Sequence, residues 1–180
     1  MKTVIVLGSG NSGAGAIRDF LMSRKDFQSP FGKQEFRIVN DPDGLDELYN
    51  VLYKNFSINA AANKIDCFKK FIKNNYYSNY NKKNKLFDKE IIDLSNIFIN
   101  KISEIKYNGG PLFYFNKMSF LKKIFFYFNR FLLRKDAQEI SMIDMMLPCE
   151  EKIFLKNAEE FLRNIYRSNK NFDEKKNIVI

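Results

Sequence analysis

Four of the chain's 8 glycines crowd into residues 8–15, between an apolar run and the start of an apolar periodic one. The segment reads Gly8-Ser9-Gly10-Asn11-Ser12-Gly13-Ala14-Gly15. Neither a helix nor a strand accommodates glycine at that density, because each one adds backbone entropy that folding must remove. The segment is therefore a turn, and its neighbours say what it joins. Thr3-Val4-Ile5-Val6-Leu7 is β-branched and apolar, which predicts a buried strand. After it, Ala16 to Met22 predicts a helix with Ile17, Phe20 and Leu21 on one face. The first N–H groups of such a helix have no internal partner, and the helix dipole favours negative charge there. Glycines let the backbone come close to a phosphate. Ser9 and Ser12 add hydroxyl donors. Residues 8–15 are thus the candidate phosphate cradle. The plainer alternative is a tight turn that only lets the helix pack on its strand.

A net charge of +9 and a pI near 9.4 point to anionic partners: phosphates, sulfates, acidic glycans, nucleic acid or an anionic membrane. The chain has no histidine. That excludes histidine acid–base chemistry, Ser-His-Asp triads and most catalytic zinc sites, and leaves Asp, Glu, Lys or Tyr as a general base. Cys67 and Cys149 share no metal-ligand spacing and read as buried or inert thiols, so no metal is expected. The apolar run at the start is shorter than the roughly 7–15 residues of a signal segment. No stretch approaches the ~20 apolar residues of a membrane span. These features fit a cytoplasmic protein, with peripheral contact to a membrane left open.

Beyond the first helix, Ser29-Pro30-Phe31-Gly32 predicts a loop and residues 36–39 a second short strand. Asn40-Asp41-Pro42-Asp43-Gly44 is a turn whose aspartates suit helix capping. Residues 45–167 are mainly helical by spacing, with a loop at 76–85, a helix over 88–106 and a break at 108–111. Pro148 separates the apolar segment 142–147 from a last helix at 150–167, and residues 175–180 form a third strand-like run. The order predicts one α/β domain over residues 1–180, three-layered, with a short parallel sheet and residues 45–167 as a large helical insertion.

Two nucleotide readings compete for the glycine turn. Gly8, Gly10 and Gly13 fit the dinucleotide fingerprint of an NAD(P)-binding oxidoreductase, with Asp41 as the acid for the ribose. Against it, regular strand–helix alternation stops after Val39. The other reading is a P-loop variant. Gly13-Ala14-Gly15 stands where a nucleotide-hydrolysing loop needs Gly-Lys-Ser/Thr, which argues against ATP or GTP hydrolysis.

Over residues 1–60 the chain resembles sulfotransferases of the P-loop superfamily. Those enzymes hold the 5′-phosphosulfate of PAPS on a strand–loop–helix of the type Lys/Arg-Ser-Gly-Ser/Thr-Ser/Thr, and Asn11-Ser12-Gly13-Ala14-Gly15 is similar to it. Gln34-Glu35-Phe36-Arg37 resembles the segment where some carbohydrate sulfotransferases carry a catalytic glutamate. The resemblance implies PAPS as sulfuryl donor, Glu35 as base and a carbohydrate or lipid-linked hydroxyl as acceptor. Asn11 departs from the pattern, because the family has a cation there. Lys33, Arg18 and Arg37 are the nearby cations that could replace it. In the family, residues that hold the 3′-phosphate follow the third strand. The resemblance therefore implies a site incomplete at Ile180, and an inactive protein is one outcome.

Residues 112–134 combine Phe and Tyr with Lys117, Lys122, Lys123, Arg130 and Arg134. Phe120, Ile124, Phe128 and Phe131 share one helical face. Three roles fit: a core helix with a basic outer side, a groove for an anionic or lipid-linked acceptor, or a non-catalytic module on an anionic membrane. Nucleic-acid binding lacks any recognised motif here.

Overall fold

The computed structural model describes residues 2–8, 13–29, 31, 37–77, 87, 89–109, 115, 118–134, 143–169 and 172–180. Its helices are α1 (Ala14–Ser23), α2 (Leu45–Tyr49), α3 (Ile58–Ile72), α4 (Glu90–Lys101), α5 (Phe120–Phe131) and α6 (Glu151–Ser168). The strands are β1 (Thr3–Val4), β2 (Phe27–Gln28), β3 (Ser103–Gly109), β4 (Ile143–Pro148) and β5 (Asn177–Val179). The chain is α/β and mostly helical, with a short parallel sheet in the order β1-β5-β2.

The core lies in the helical part. Helix α3 starts where the Ser57 hydroxyl accepts from the Ala60 amide at 3.2 Å, which satisfies one of its unpaired donors. Its apolar residues recur every three or four positions, and Ala61, Ile65, Phe68 and Ile72 are buried. Phe98 of α4 stacks on Phe161 of α6 with centroids 4.8 Å apart and planes 17° from parallel. Phe68 packs against both rings, at 5.9 and 6.0 Å, and Phe154 against Phe98 at 5.7 Å. Burying each such ring stabilises the fold by about 1.5–3 kcal/mol.

The parallel sheet is thin. Ile178 and Val179 of its central strand are buried. Pairing of β1 with β5 extends past the strand ends, since Ile178 N donates to Lys2 O, Ile180 N to Val4 O, and Val6 N to Ile180 O at 2.8–3.0 Å. On the other side, the Gln28 side chain clasps the backbone of Asp173. Its Nε2 donates to the Asp173 carbonyl at 2.6 Å, and its Oε1 accepts from the Asp173 amide at 2.8 Å.

Several expectations are corrected. β1 is an edge strand rather than a buried one, with Ile5 62% and Leu7 86% exposed. Helix α1 turns Ala14, Arg18, Leu21 and Met22 inward to half-buried positions, while Ile17 and Phe20 stay exposed. The second strand of the sheet is Phe27–Gln28, and residues 37–39 form a turn instead. There the Ile38 and Val39 carbonyls accept from the Leu45 and Asp46 amides at 2.9 and 3.0 Å, so they serve the start of α2 and not a sheet. The helix expected over 88–106 ends at Lys101. Residues from Ser103 onward pair antiparallel with β4, so a two-stranded sheet lies within the stretch expected to be mainly helical. Alternation of Ile105 and Tyr107 with polar residues satisfies a strand as well as a helix end, and β4 supplies the partner.

Gly44 closes the turn at 37–47. A Cβ there would lie 2.5 Å from the Ile38 oxygen, 2.8 Å from that of Asp41 and 2.9 Å from that of Val39. These are backbone atoms engaged in hydrogen bonds, so they cannot move aside cheaply. Gly44→Ala is expected to destabilise the protein by roughly 1–3 kcal/mol in urea unfolding. An unchanged unfolding midpoint would show that the turn yields.

Candidate functional site

Because β1, β5 and β2 are parallel, their carboxyl ends lie along one edge of the sheet. Ligands of open α/β sheets bind outside that edge. Four features meet there. Gly8 follows β1 and is exposed. Gly13 brings the chain into α1 with φ of 82°, a left-handed conformation that glycine adopts without strain. The Ile17 amide donates to the Gly13 carbonyl at 3.1 Å, which makes Gly13 the N-cap. The amides of Ala14, Gly15 and Ala16 precede the first intrahelical bond and so have no acceptor within the helix. The first turn has no acidic side chain, so nothing local offsets the positive end of the dipole. Gly15 faces open space, with no atom within 4 Å of where a Cβ would stand.

Arg18 lies one turn further along α1, on its inward side. Its Nη2 donates to Ser29 Oγ at 3.4 Å, a long bond that ties α1 to the residue just past β2. A cation and a hydroxyl are thereby held together at the same edge as the open helix start. Sequence reasoning identified Arg18 only as one of three cations, and did not identify Ser29. A strand of two residues, Phe27–Gln28, leaves too weak a period to reveal that Ser29 ends a strand.

Of the expected cradle, Gly8, Gly13, Ala14 and Gly15 stand at this edge. Ser9, Gly10, Asn11, Ser12 and the candidate base Glu35 lie outside the described residues, as does Lys33. Arg37 begins the turn before α2, with its carbonyl accepting from the Asp41 amide at 2.9 Å. Asp41 is part of that same turn, since its carbonyl accepts from Gly44 N at 2.8 Å, and it does not follow a strand of the parallel sheet. Three tyrosines packed on the core are poor candidates for an alternative base. Burial raises the phenols of Tyr53, Tyr76 and Tyr166, and for Tyr53 a hydrogen bond involving Cys149 adds to the effect. Among the described residues no cluster of Cys, Asp and Glu could hold a metal ion, and neither Cys67 nor Cys149 forms a disulfide. No described helix is long and apolar enough to cross a membrane.

A second polar cluster sits on the helical body. Lys64 Nζ bonds Asp43 Oδ1 at 2.8 Å and Glu47 Oε2 at 2.6 Å, and the Asp43 amide also donates to Glu47 at 3.0 Å. Partial burial pulls the Lys64 ammonium down, but its two carboxylate partners outweigh that and leave it raised. The hydrogen bond from Lys64, then that from the Asp43 amide, holds Glu47 below its ordinary value of 4.5. Beside the cluster lies a cleft of about 370 Å³ lined by Asp41, Pro42, Asp43, Lys70, Asn74 and neighbouring residues. Its walls carry both charge signs, and the cluster's ion pairs brace the 37–47 turn against α3.

No family model, curated protein or solved structure matches the chain. The class that the fold defines is therefore a coarse one: an α/β protein with a short parallel sheet and a helix, α1, whose first amides have no acceptor within the helix.

The lowered Glu47 carboxyl has a pH signature. Its contribution to stability is present above the ordinary glutamate value and is lost as pH falls through the lower folded value. Wild type is expected to be more stable than Glu47→Gln at neutral pH, with the difference closing as pH falls below 4.5. Melting curves across that range check it, and a pH-independent difference would contradict it.

Proposed function

We propose that the chain binds PAPS, the phosphosulfate nucleotide, and acts as a sulfotransferase-like protein on a hydroxyl of a carbohydrate or similar acceptor. The observation that carries the reading is the open first turn of α1 with Arg18 beside it. A diphosphate-like anion needs donors that are already oriented, and the amides of Ala14, Gly15 and Ala16 meet that need without reorganisation. Arg18 supplies the cation that Asn11 does not. It approaches the same edge from inside the helix, not from within the loop.

In the proposed reaction the acceptor hydroxyl attacks sulfur. The bond between sulfur and the bridging phosphate oxygen breaks, and the charge that develops on that phosphate falls on the loop amides and Arg18. Glu35 takes the proton that the acceptor loses. The dinucleotide reading is less well supported. It needs β2 beside β1, whereas β5 stands between them, and it needs an acid at a strand end, whereas Asp41 belongs to a helix-capping turn.

Calorimetric titration of the full chain with PAP, the desulfated product, tests the ligand directly. Binding is expected in wild type. Gly13→Val should weaken it because valine resists the left-handed backbone, and Arg18→Ala should weaken it roughly tenfold or more. Absence of heat with PAP, or a response to NAD(P) in its place, would overturn the assignment.

A further inference from the structure

We infer that α5 is a docking helix for an anionic lipid bilayer, lying in the plane of the membrane surface. A helix on a globular surface normally buries its apolar side. Helix α5 does the reverse. Phe120, Leu121, Ile124, Phe125, Phe128 and Phe131 are each 50–77% exposed. At about 3.6 residues per turn they fall within an arc of roughly 140°. The arc lies opposite Phe126 and Asn129, which are the buried residues of the helix. Asn129 is satisfied by its own helix, with its Nδ2 donating to the Phe125 carbonyl at 2.7 Å. The buried side of α5 is thus narrow, with Phe126 against Phe115 at 4.9 Å and Asn129 beside it, and a broad hydrocarbon face is exposed.

Charge selects the occupant. From Ile105 to Lys135 the sequence contains no acidic residue. Lys122, Lys123 and Arg130 lie on the other side of the helix from the apolar arc, Arg134 lies just past its end, and Lys122, Arg130 and Arg134 are exposed. Phenylalanine and leucine on one face with lysine and arginine on the other is the composition of helices that lie in an interface, with apolar side chains among the acyl tails and cations at the headgroups. A second copy of the chain would bring two such acid-free segments together, and repulsion opposes that. A nucleic acid would satisfy the cations but leave Leu121 and Ile124 in water. An anionic bilayer satisfies both sets of side chains. The inference rests on α5 alone and stands or falls independently of nucleotide binding.

Flotation of the full chain with vesicles tests it, comparing pure phosphatidylcholine with phosphatidylcholine containing phosphatidylserine. The chain is expected to float with the anionic vesicles, and raised salt should weaken that binding. Lys122→Glu with Lys123→Glu should lower the affinity by at least about fivefold per charge. Phe125→Glu with Phe128→Glu should lower it by roughly tenfold or more per ring. Both rings are exposed, so that variant should keep the wild-type melting curve. Wild-type protein that stays at the bottom of the gradient with anionic vesicles would overturn the proposal. Equal flotation of wild type and the Phe125/Phe128 variant would do the same. A dimer in sedimentation that this variant dissolves, without lipid binding by wild type, would assign the face to a second copy instead.

Discussion

The stacking of Phe98 on Phe161 is the contact on which the rest of the structure hangs. It locks α4 to α6, and Phe68 wedges α3 against both. Once α6 is fixed, the chain beyond it is fixed as well. Asn169 N donates to Tyr166 O and Phe172 N to Asn169 O, which ties Phe172 to the end of the helix. Asp173 is then clasped by Gln28, and β5 follows directly as the central strand of the parallel sheet. Both β1 and β2 pair only with β5 among the described residues. Strands β1 and β2 are therefore positioned from the far end of the chain, by a helix whose own place is set by an aromatic core.

This arrangement separates stability from the candidate site. The helical body buries large side chains from α2, α3, α4 and α6 in one cluster. The sheet contributes little beyond Ile178 and Val179, and α1 buries none of its residues fully. Segments with few buried apolar contacts open locally at lower free energy than a packed core. The edge that would receive a phosphate is thus expected to be the softer part of the molecule. An anion bound to it would tie α1, β1 and β2 together and add stability by mass action.

Much of this was legible in the sequence. A first strand followed by a helix, the closing strand at 177–179 and the helical character of most of residues 45–167 follow from period, and the described residues have all three. The core face of the last helix was also readable, since Phe154, Phe161 and Ile165 are buried as their spacing predicts. Other parts were hidden for physical reasons. β2 is two residues long, and its strand character comes from pairing with β5 rather than from its own pattern. β3 and β4 are separated by more than thirty residues, and neither shows its partner locally. In α1 helical periodicity places Leu21 inward, as it is, but also Ile17 and Phe20, which are exposed, while Arg18 takes a half-buried place. The same mismatch recurs in α5. In both helices the apolar stripe was visible from the sequence, but what it faces was not.

Hydrogen exchange on the full chain, with and without PAP, tests most directly the claim that a stable helical body carries a softer phosphate-binding edge. Slowest exchange is expected in α3, α4 and α6 and faster exchange in β1 and α1. Added PAP should give new protection concentrated on residues 5–18. Protection spread evenly over the molecule, or an α1 start that exchanges as slowly as α6 and does not respond to PAP, would contradict it.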